Sequence, residues 1–456
     1  YNTFEGYVQD SWKATRNLTL ELGLRFSHLQ PWSDRSGTGI GFAIFDESRY
    51  SNDPADLAQF TGLVYHGIDS SIPLAGARTR ALFVQPRLGL AWDIFGTGRT
   101  ILRAGFGVFR YNEPQCCGGA YNVAAGERSN TVTAPGLMRE IDALSPRTVK
   151  TGLTVVDNSD DTKPVSYNWS FEVGQRLGRD MFFRAAYVGN AGRDLLNGGQ
   201  IRNINKVPYG AMIDNPNATV DNFRPLQNYS SINRISHGFI SNYHSLQSTF
   251  SWQARNVNIQ AAYTFSKALG TRGVGDNQGD GFSIANNYGV LGIDRTHMFN
   301  VAYIYELPGI ARANALLKGL ANGWQFSGIT TVASGVELSA NDATNFGVTG
   351  FLEDGRTRIN NQAVNGTDAL AAQPFLTCNP LENLAPQQFI NGACFAPPGR
   401  LRNGPTIYGF YFRGPSLVNH DLSLFKNFRF GEAKRIQVRA SAYNFVNHPL
   451  WTFRAG

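Results

Sequence analysis

The chain has 456 residues, 42% hydrophobic and 12% aromatic, with a formal charge of +7 from 41 Lys and Arg against 34 Asp and Glu. Its mean hydropathy is −0.25, and no apolar run approaches the ~18 residues that a membrane helix needs, which excludes a helical membrane protein. The positive excess is dispersed rather than gathered into a basic stripe, so no nucleic-acid partner is expected.

The predicted elements come as six pairs of alternating segments, each pair joined by a short connection. Phe4–Ala14 and Leu18–Leu29 flank Thr15-Arg16-Asn17; Leu18, Leu20, Leu22, Leu24 and Phe26 share one parity, and Thr19, Glu21, Gly23, Arg25 and Ser27 the other. Alternate side chains of a strand point to opposite faces, so this pattern is a sheet with one apolar and one polar side. Leu82–Phe95 and Thr100–Arg110 follow, joined near Gly98, with Leu88, Leu90 and Trp92 on one face. Pro86 falls on the same parity and predicts an edge or a bulge, because proline has no amide to donate. Val165–Leu177 and Met181–Asn190 join near Arg179, with Phe171 on the apolar side and Glu172 on the polar side.

The fourth pair is Ser241–Ala254 and Val257–Lys267, joined near Asn256, with Phe250 and Tyr263 apolar-side. The fifth, Thr296–Leu307 and Gly323–Ser334, carries Val301; its connection near Ala313 is longer and contains Ala311–Leu320, which reads as one short helix. The sixth is Leu417–Phe428 and Arg435–Asn447 around Gly431, with Leu422 apolar-side. Between the pairs lie long polar stretches, 30–80, 111–164, 191–240, 268–295 and 335–416.

Structureless loops of such length are rare in compact soluble domains. Short turns alternating with long loops predict an all-β, transmembrane antiparallel β-barrel of about twelve strands, short turns towards the periplasm and long loops outside. Trp12, Trp92 and Trp252 each precede a short turn and Trp324 follows one, all on apolar parity; they read as the periplasmic aromatic girdle. A soluble sandwich with Trp in its core would need loops of similar length at both ends.

Little in the sequence carries chemistry. There is no G-x-S-x-G, P-loop or Cys-x-x-Cys, and the seven His are scattered, so no catalytic, cofactor or metal residue is assigned. Two acidic runs, Asp157–Asp161 and Asp276–Gly281, offer clustered oxygens that suit either calcium or a solvated turn; neither has the twelve-residue EF-hand pattern. Cys378 and Cys394 share the longest loop, and in an oxidising compartment they are expected to form a disulfide. Cys116 and Cys117 are adjacent, and their state is left open.

Several segments then resemble a known family. "FEGYVQDSWKATRNLTLELGLRF" (Phe4–Phe26), "QPRLGLAWDIFGTGRTILRAGFGVF" (Gln85–Phe109), "YHSLQSTFSWQARNVNIQAAYTFSKAL" (Tyr243–Leu269), "DRTHMFNVAYIYELPG" (Asp294–Gly309) and "ASAYNFVNHPLW" (Ala440–Trp451) are similar to barrel segments of TonB-dependent outer-membrane receptors, particularly the Oar-like group. The resemblance implies a 22-strand barrel in the Gram-negative outer membrane, with outer-membrane lipid around it. It also implies an N-terminal plug contacting the TonB complex, and a bulky solute of siderophore, glycan or peptide class. Residues 1–456 are read as part of that single barrel domain, without plug, TonB box or signal peptide. The strand directions predict a piece cut at both ends, the family's tenth to twenty-first strands. The alternatives are a passive porin or adhesin-like barrel, separable by an upstream plug, and a soluble secreted carbohydrate-binding β-protein, separable by detergent dependence.

Overall fold

A computed structural model describes residues 2–33, 37–112, 150–197, 202–215, 217–271, 280–312, 314–336, 373, 375–386, 388, 391–396, 404, 413–430 and 434–449. Among these residues twelve long strands follow one another in a single antiparallel path. They are β1 (Thr3–Lys13), β2 (Leu18–Leu29), β3 (Phe83–Asp93), β4 (Thr100–Arg110), β5 (Val165–Leu177), β6 (Met181–Asn197), β7 (Tyr229–Ala254), β8 (Val257–Thr271), β9 (His297–Glu306), β10 (Trp324–Ala333), β11 (Leu417–Phe430) and β12 (Lys434–Ala442). Each strand pairs with its predecessor and its successor in the chain, so the connections alternate between two rims.

The register carries one face across the whole sheet. Residues directly opposite each other in a ladder share a face. Trp12 opposes Leu20 and Leu20 opposes Leu90. Leu90 opposes Ala104, Ala104 opposes Phe171, and Phe171 opposes Tyr187. Tyr187 opposes Leu246 and Leu246 opposes Phe265. Tyr263, Phe299 and Val332 continue the row, and Gly328, Leu422 and Ala442 close it on the last strands. Leu20, Leu22, Leu90, Phe171, Phe250, Tyr263, Val301 and Leu422 all fall on this face, as their parity requires. The opposite face carries Glu5, Glu21, Arg25, Arg87, Arg103, Glu172, Arg184, Gln260, Asp421 and Arg439. Charges on the apolar face, among them Asp10, Arg110, Lys267 and Lys426, lie towards strand ends.

Three expectations need correction. Pro86 sits neither at an edge nor in a bulge: β3 lies between β2 and β4. The β3–β4 ladder reaches only Arg87, and the Arg110 amide donates instead to Gln85 Oε1 at 2.7 Å, so no ladder bond is asked of the proline. The short helix is Ala315–Ala321, displaced from Ala311–Leu320, because Asn314 takes the N-cap and its side chain accepts from the Leu317 amide at 2.9 Å. Strand β6 runs past Asn190, and β7 begins twelve residues before Ser241. The β6–β7 register shifts on both sides of Phe239, and Gly238 holds φ +148°. That bulge breaks the period-two pattern and hides the extension from a parity reading. The connection near Ala313 and that near Gly431 lie outside the described residues at those two positions.

The long stretches are not structureless. Ala43–Phe45 pairs with Leu63–Tyr65, and Thr151–Val156 pairs in parallel with the start of β7. Around them Phe42, Phe45, Leu63, Val155, Tyr229, Ile232 and Ile235 form a buried apolar core. The stretch reads as polar because these residues are dispersed among turn-formers, but the chain folds them onto one strand.

Candidate functional site

With no catalytic constellation to build on, the candidate site is the polar face of the sheet together with the folded loops above the long-connection rim. Ion pairs on the polar face link neighbouring strands. Glu5 pairs with Arg25 across β1 and β2. Glu172 on β5 accepts from Arg103 on β4 at 2.9 Å and faces Arg184 on β6 at 3.7 Å. A buried relay runs alongside: Ser27 Oγ donates to Glu5 Oε1 at 3.2 Å and accepts from Gln85 Nε2 at 2.6 Å. Farther along, Asn190 Nδ2 donates to Ser166 Oγ at 2.6 Å. Two clefts open on this face. One, of about 490 Å³, lies among Glu5, Gln9, Arg25 and Arg87. The other, of about 420 Å³, lies among Gln260, Asp421, Ser423, Arg439 and Tyr443. Such a surface offers both signs of charge and many hydrogen-bonding groups, which suits a polar solute more than an apolar one.

The loop cap is pinned by buried amides. Asn205, fully buried, donates through Nδ2 to the carbonyls of Leu226, Tyr229 and Ser230 and accepts from the Leu226 amide. Asn228 Nδ2 donates to the Ser51 and Asp53 carbonyls at 3.0 and 2.8 Å, and Tyr229 Oη to the Thr61 carbonyl at 2.9 Å. The first and third long stretches are therefore held to the base of β7.

The acidic run Asp157–Asp161 is consumed by this architecture. Asp157 Oδ1 accepts from the Ser159 amide and hydroxyl. Asp160 Oδ1 accepts from the Thr162 amide and hydroxyl, and its Oδ2 from the His237 amide at 2.6 Å and across to Nδ1 at 2.7 Å. Asp161 pairs with Arg80 at 2.7 Å. Burial works against the charge on Asp160, yet the hydrogen bond and charge of His237, with the Thr162 hydroxyl and the His237 amide, hold its carboxyl well below the usual range. Asp161 is lowered chiefly by its hydrogen bond to Arg80.

Of the second run, Asp276–Gly279 lies outside the described residues. Asp280 is buried and accepts from the Phe282 and Ser283 amides, Tyr209 Oη and Asn286 Nδ2. Among the described residues no group of three His, Cys, Asp or Glu is placed to hold a metal ion. Asp294, whose carboxylate is buried, is a further pin: it accepts from the Ala268 amide at 2.5 Å, pairs with Arg413, and lies 3.5 Å from Lys267 Nζ.

Cys378 and Cys394 are joined by a disulfide, with Cα atoms 4.8 Å apart. Cys116 and Cys117 lie outside the described residues. Trp12, Trp92, Trp252 and Trp324 all sit at the short-connection ends of their strands on the apolar face. At the opposite end a second aromatic row appears, in which Trp169 stands beside His244 and tyrosine and histidine make up the rest. Tyr187 Oη lies 2.7 Å from His244 Nδ1, and Tyr263 Oη 2.8 Å from His297 Nδ1. Its signal in the sequence is only visible once the cross-strand register pairs each tyrosine with the strand beside it.

A sequence-family profile described as "Outer membrane beta barrel domain" matches residues 1–454. No curated protein matches the chain. Among solved structures, the FrpB iron transporter from Neisseria meningitidis (F3-3 variant) is 10% identical, with 98% of this chain and 40% of that one covered and a TM-score of 0.43. FpvA of P. aeruginosa bound to a heterologous pyoverdine is 8% identical, with 98% and 34% covered and a TM-score of 0.44. The outer membrane transporter YddB from Escherichia coli is 10% identical, with 98% and 50% covered and a TM-score of 0.41. The chain thus spans half or less of the length of each of these three structures.

Proposed function

Because the chain belongs to the outer membrane beta barrel domain family, and so to the outer membrane of a Gram-negative bacterium, we propose that it forms the wall of a TonB-dependent transporter of the Oar-like group, passing a bulky solute across that membrane. The observation that carries this reading is the unbroken division of twelve strands into an apolar and a polar face. In an outer-membrane barrel the apolar face meets hydrocarbon and the polar face lines the lumen. The short connections then lie in the periplasm, and the folded loops stand outside, where solute arrives.

Dimensions support the placement. Trp252 and His244 bracket the apolar face of β7, eight residues apart. At a rise of about 3.4 Å per residue this is about 27 Å along the strand, or about 21 Å once tilted by roughly 40°, close to the ~25 Å apolar band of such barrels. The mixed charges around Glu172 and Arg25 favour a hydrophilic cargo of siderophore, glycan or peptide class. We assign no catalytic residue and expect the energy for passage to come through a plug region contacted by TonB.

The test is uptake in a host expressing the protein, with and without TonB, using a panel of those three solute classes. Uptake lost on TonB deletion supports the reading. Uptake that is unaffected favours a passive porin and overturns energy coupling.

A further inference from the structure

The short helix Ala315–Ala321 lies at the short-connection rim, joined to the apolar face of the sheet. Its C-terminal end is tied there twice. Lys426 Nζ donates to the carbonyls of Leu320 at 2.8 Å and Asn322 at 2.5 Å, and Trp324 Nε1 donates to the Leu320 carbonyl at 2.8 Å. Lys426 and Trp324 oppose each other on the apolar face. The lysine is only 5% exposed and lies over the rings of Trp324 and Phe428 at 4.9 and 5.2 Å. A cation on the apolar face is thereby neutralised by the helix's own terminal carbonyls, where the helix dipole is negative.

What the helix presents away from that attachment is apolar. Leu316, Leu317 and Leu320 are 74%, 51% and 60% exposed. At 100° per residue they share one side, and Lys318 falls on the other. Seven residues are too few to hold a helix in water by propensity alone, and more than half of each leucine is left uncovered by the described chain.

We propose that Ala315–Ala321 is an interfacial membrane anchor that sets Leu316, Leu317 and Leu320 into the acyl boundary of the periplasmic leaflet, with Arg312 at the phosphate level and Lys318 turned to the cleft that it lines with Glu306, Gln325 and Arg435. This rests on the reading that the apolar sheet face meets lipid. The occupant is a phospholipid bilayer because the leucines are continuous, through Trp324, with that face, and because the flanking Arg312 suits phosphate headgroups. The anchor fixes the height of the rim in the bilayer and shields the Lys426 site from water.

The experiment uses the full chain in vesicles of phosphatidylethanolamine and phosphatidylglycerol, with Cys116→Ser and Cys117→Ser and a nitroxide placed in turn at L317C, L320C, K318C and L422C. Collisions with oxygen and with a water-soluble nickel chelate are compared. Labels at 317 and 320 are expected to be at least threefold more accessible to oxygen than to nickel, as at 422, and the label at 318 the reverse. Nickel access at 317 and 320 equal to that at 318, or shielding from both reagents, would overturn the anchor while a lipid-facing 422 leaves the barrel intact. Nickel access at 422 would instead remove the barrel reading and the anchor with it. Hydroxyl-radical labelling of the unsubstituted protein in the same vesicles gives the answer without a variant. Leu316, Leu317 and Leu320 should react as weakly as Leu422, and reaction at the level of the exposed loop residue Leu381 would refute the proposal.

Discussion

The indole of Trp169 on β5 lies directly over Gly189, its cross-strand partner on β6. A Cβ at position 189 would overlap the ring, and His244 stands on the far side, its ring centre 5.8 Å from that of Trp169. The glycine is a seat for the indole, which covers the backbone that the missing side chain leaves bare. Tyr303 covers Gly328 in the same way between β9 and β10.

Gly189→Ala is therefore expected to displace Trp169 rather than stiffen the strand. Overpacking of this kind costs about 1–3 kcal/mol. Urea unfolding of the membrane-embedded protein should show that loss together with a changed tryptophan emission. An alanine variant as stable as the parent, with unchanged emission, would contradict the seat.

The two faces predict opposite tolerances on one strand. Leu22→Lys places a charge on the apolar face and is expected to cost about 2–4 kcal/mol if it lies near mid-bilayer, whereas the neighbouring Glu21→Lys on the polar face should cost under about 1 kcal/mol. Refolding yield and urea midpoints of the two variants, measured side by side, check the order. Equal costs would mean the register is wrong.

Acid should open the loop cap. The Asp160 carboxyl is held below its ordinary value in the folded protein. Its contribution is thus fully present above the unfolded carboxylate pKa of about 3.9 and declines as pH falls below it, towards the depressed folded value. Limited pepsin digestion should leave the cap intact at pH 5 and cut it progressively as the pH falls below about 4. Asp160→Asn should weaken the cap already at neutral pH by about 1.5–3 kcal/mol, the usual worth of hydrogen bonds to a charged group. A digestion pattern independent of pH would remove Asp160 from this role.

Loss of the Cys378–Cys394 bond should act locally. The two residues are separated by 16 positions, and closing a loop of that size is worth roughly 3 kcal/mol by chain entropy. Cys394→Ser is expected to raise protease cutting between 378 and 394 under non-reducing conditions, with the strand ladder unaffected. Cutting equal to that of the parent protein would argue against stabilisation.

The strand ladder was readable because period-two alternation survives wherever one face is apolar. The predicted segment Leu18–Leu29 coincides with β2, and the parity of Leu422 places β11. Where alternation stops, the sequence loses its voice. The bulge at Gly238 splits β7 into two patterns, so its first twelve residues read as loop. Ile232 and Ile235 look isolated until the parallel pairing with Thr151–Val156 gathers them with Phe45 and Leu63. The acidic run reads as a metal site or a turn for a related reason: Asp157 and Asp160 do turn locally onto Ser159 and Thr162, but Arg80 and His237, which take up the remaining carboxylate oxygens, lie about eighty residues away, and no local spacing discloses them.

The shared core beneath the long loops has a consequence for how the outer surface can change. Phe45, Val155 and Tyr229 come from three separate connections yet fill one volume. A substitution that suits a new cargo in one connection must still pack against the other two. Diversification of this surface should therefore proceed by concerted exchange. A chimera built from a homologous barrel is expected to keep its ectodomain only when residues 37–82, 150–164 and 202–240 are transplanted as a set.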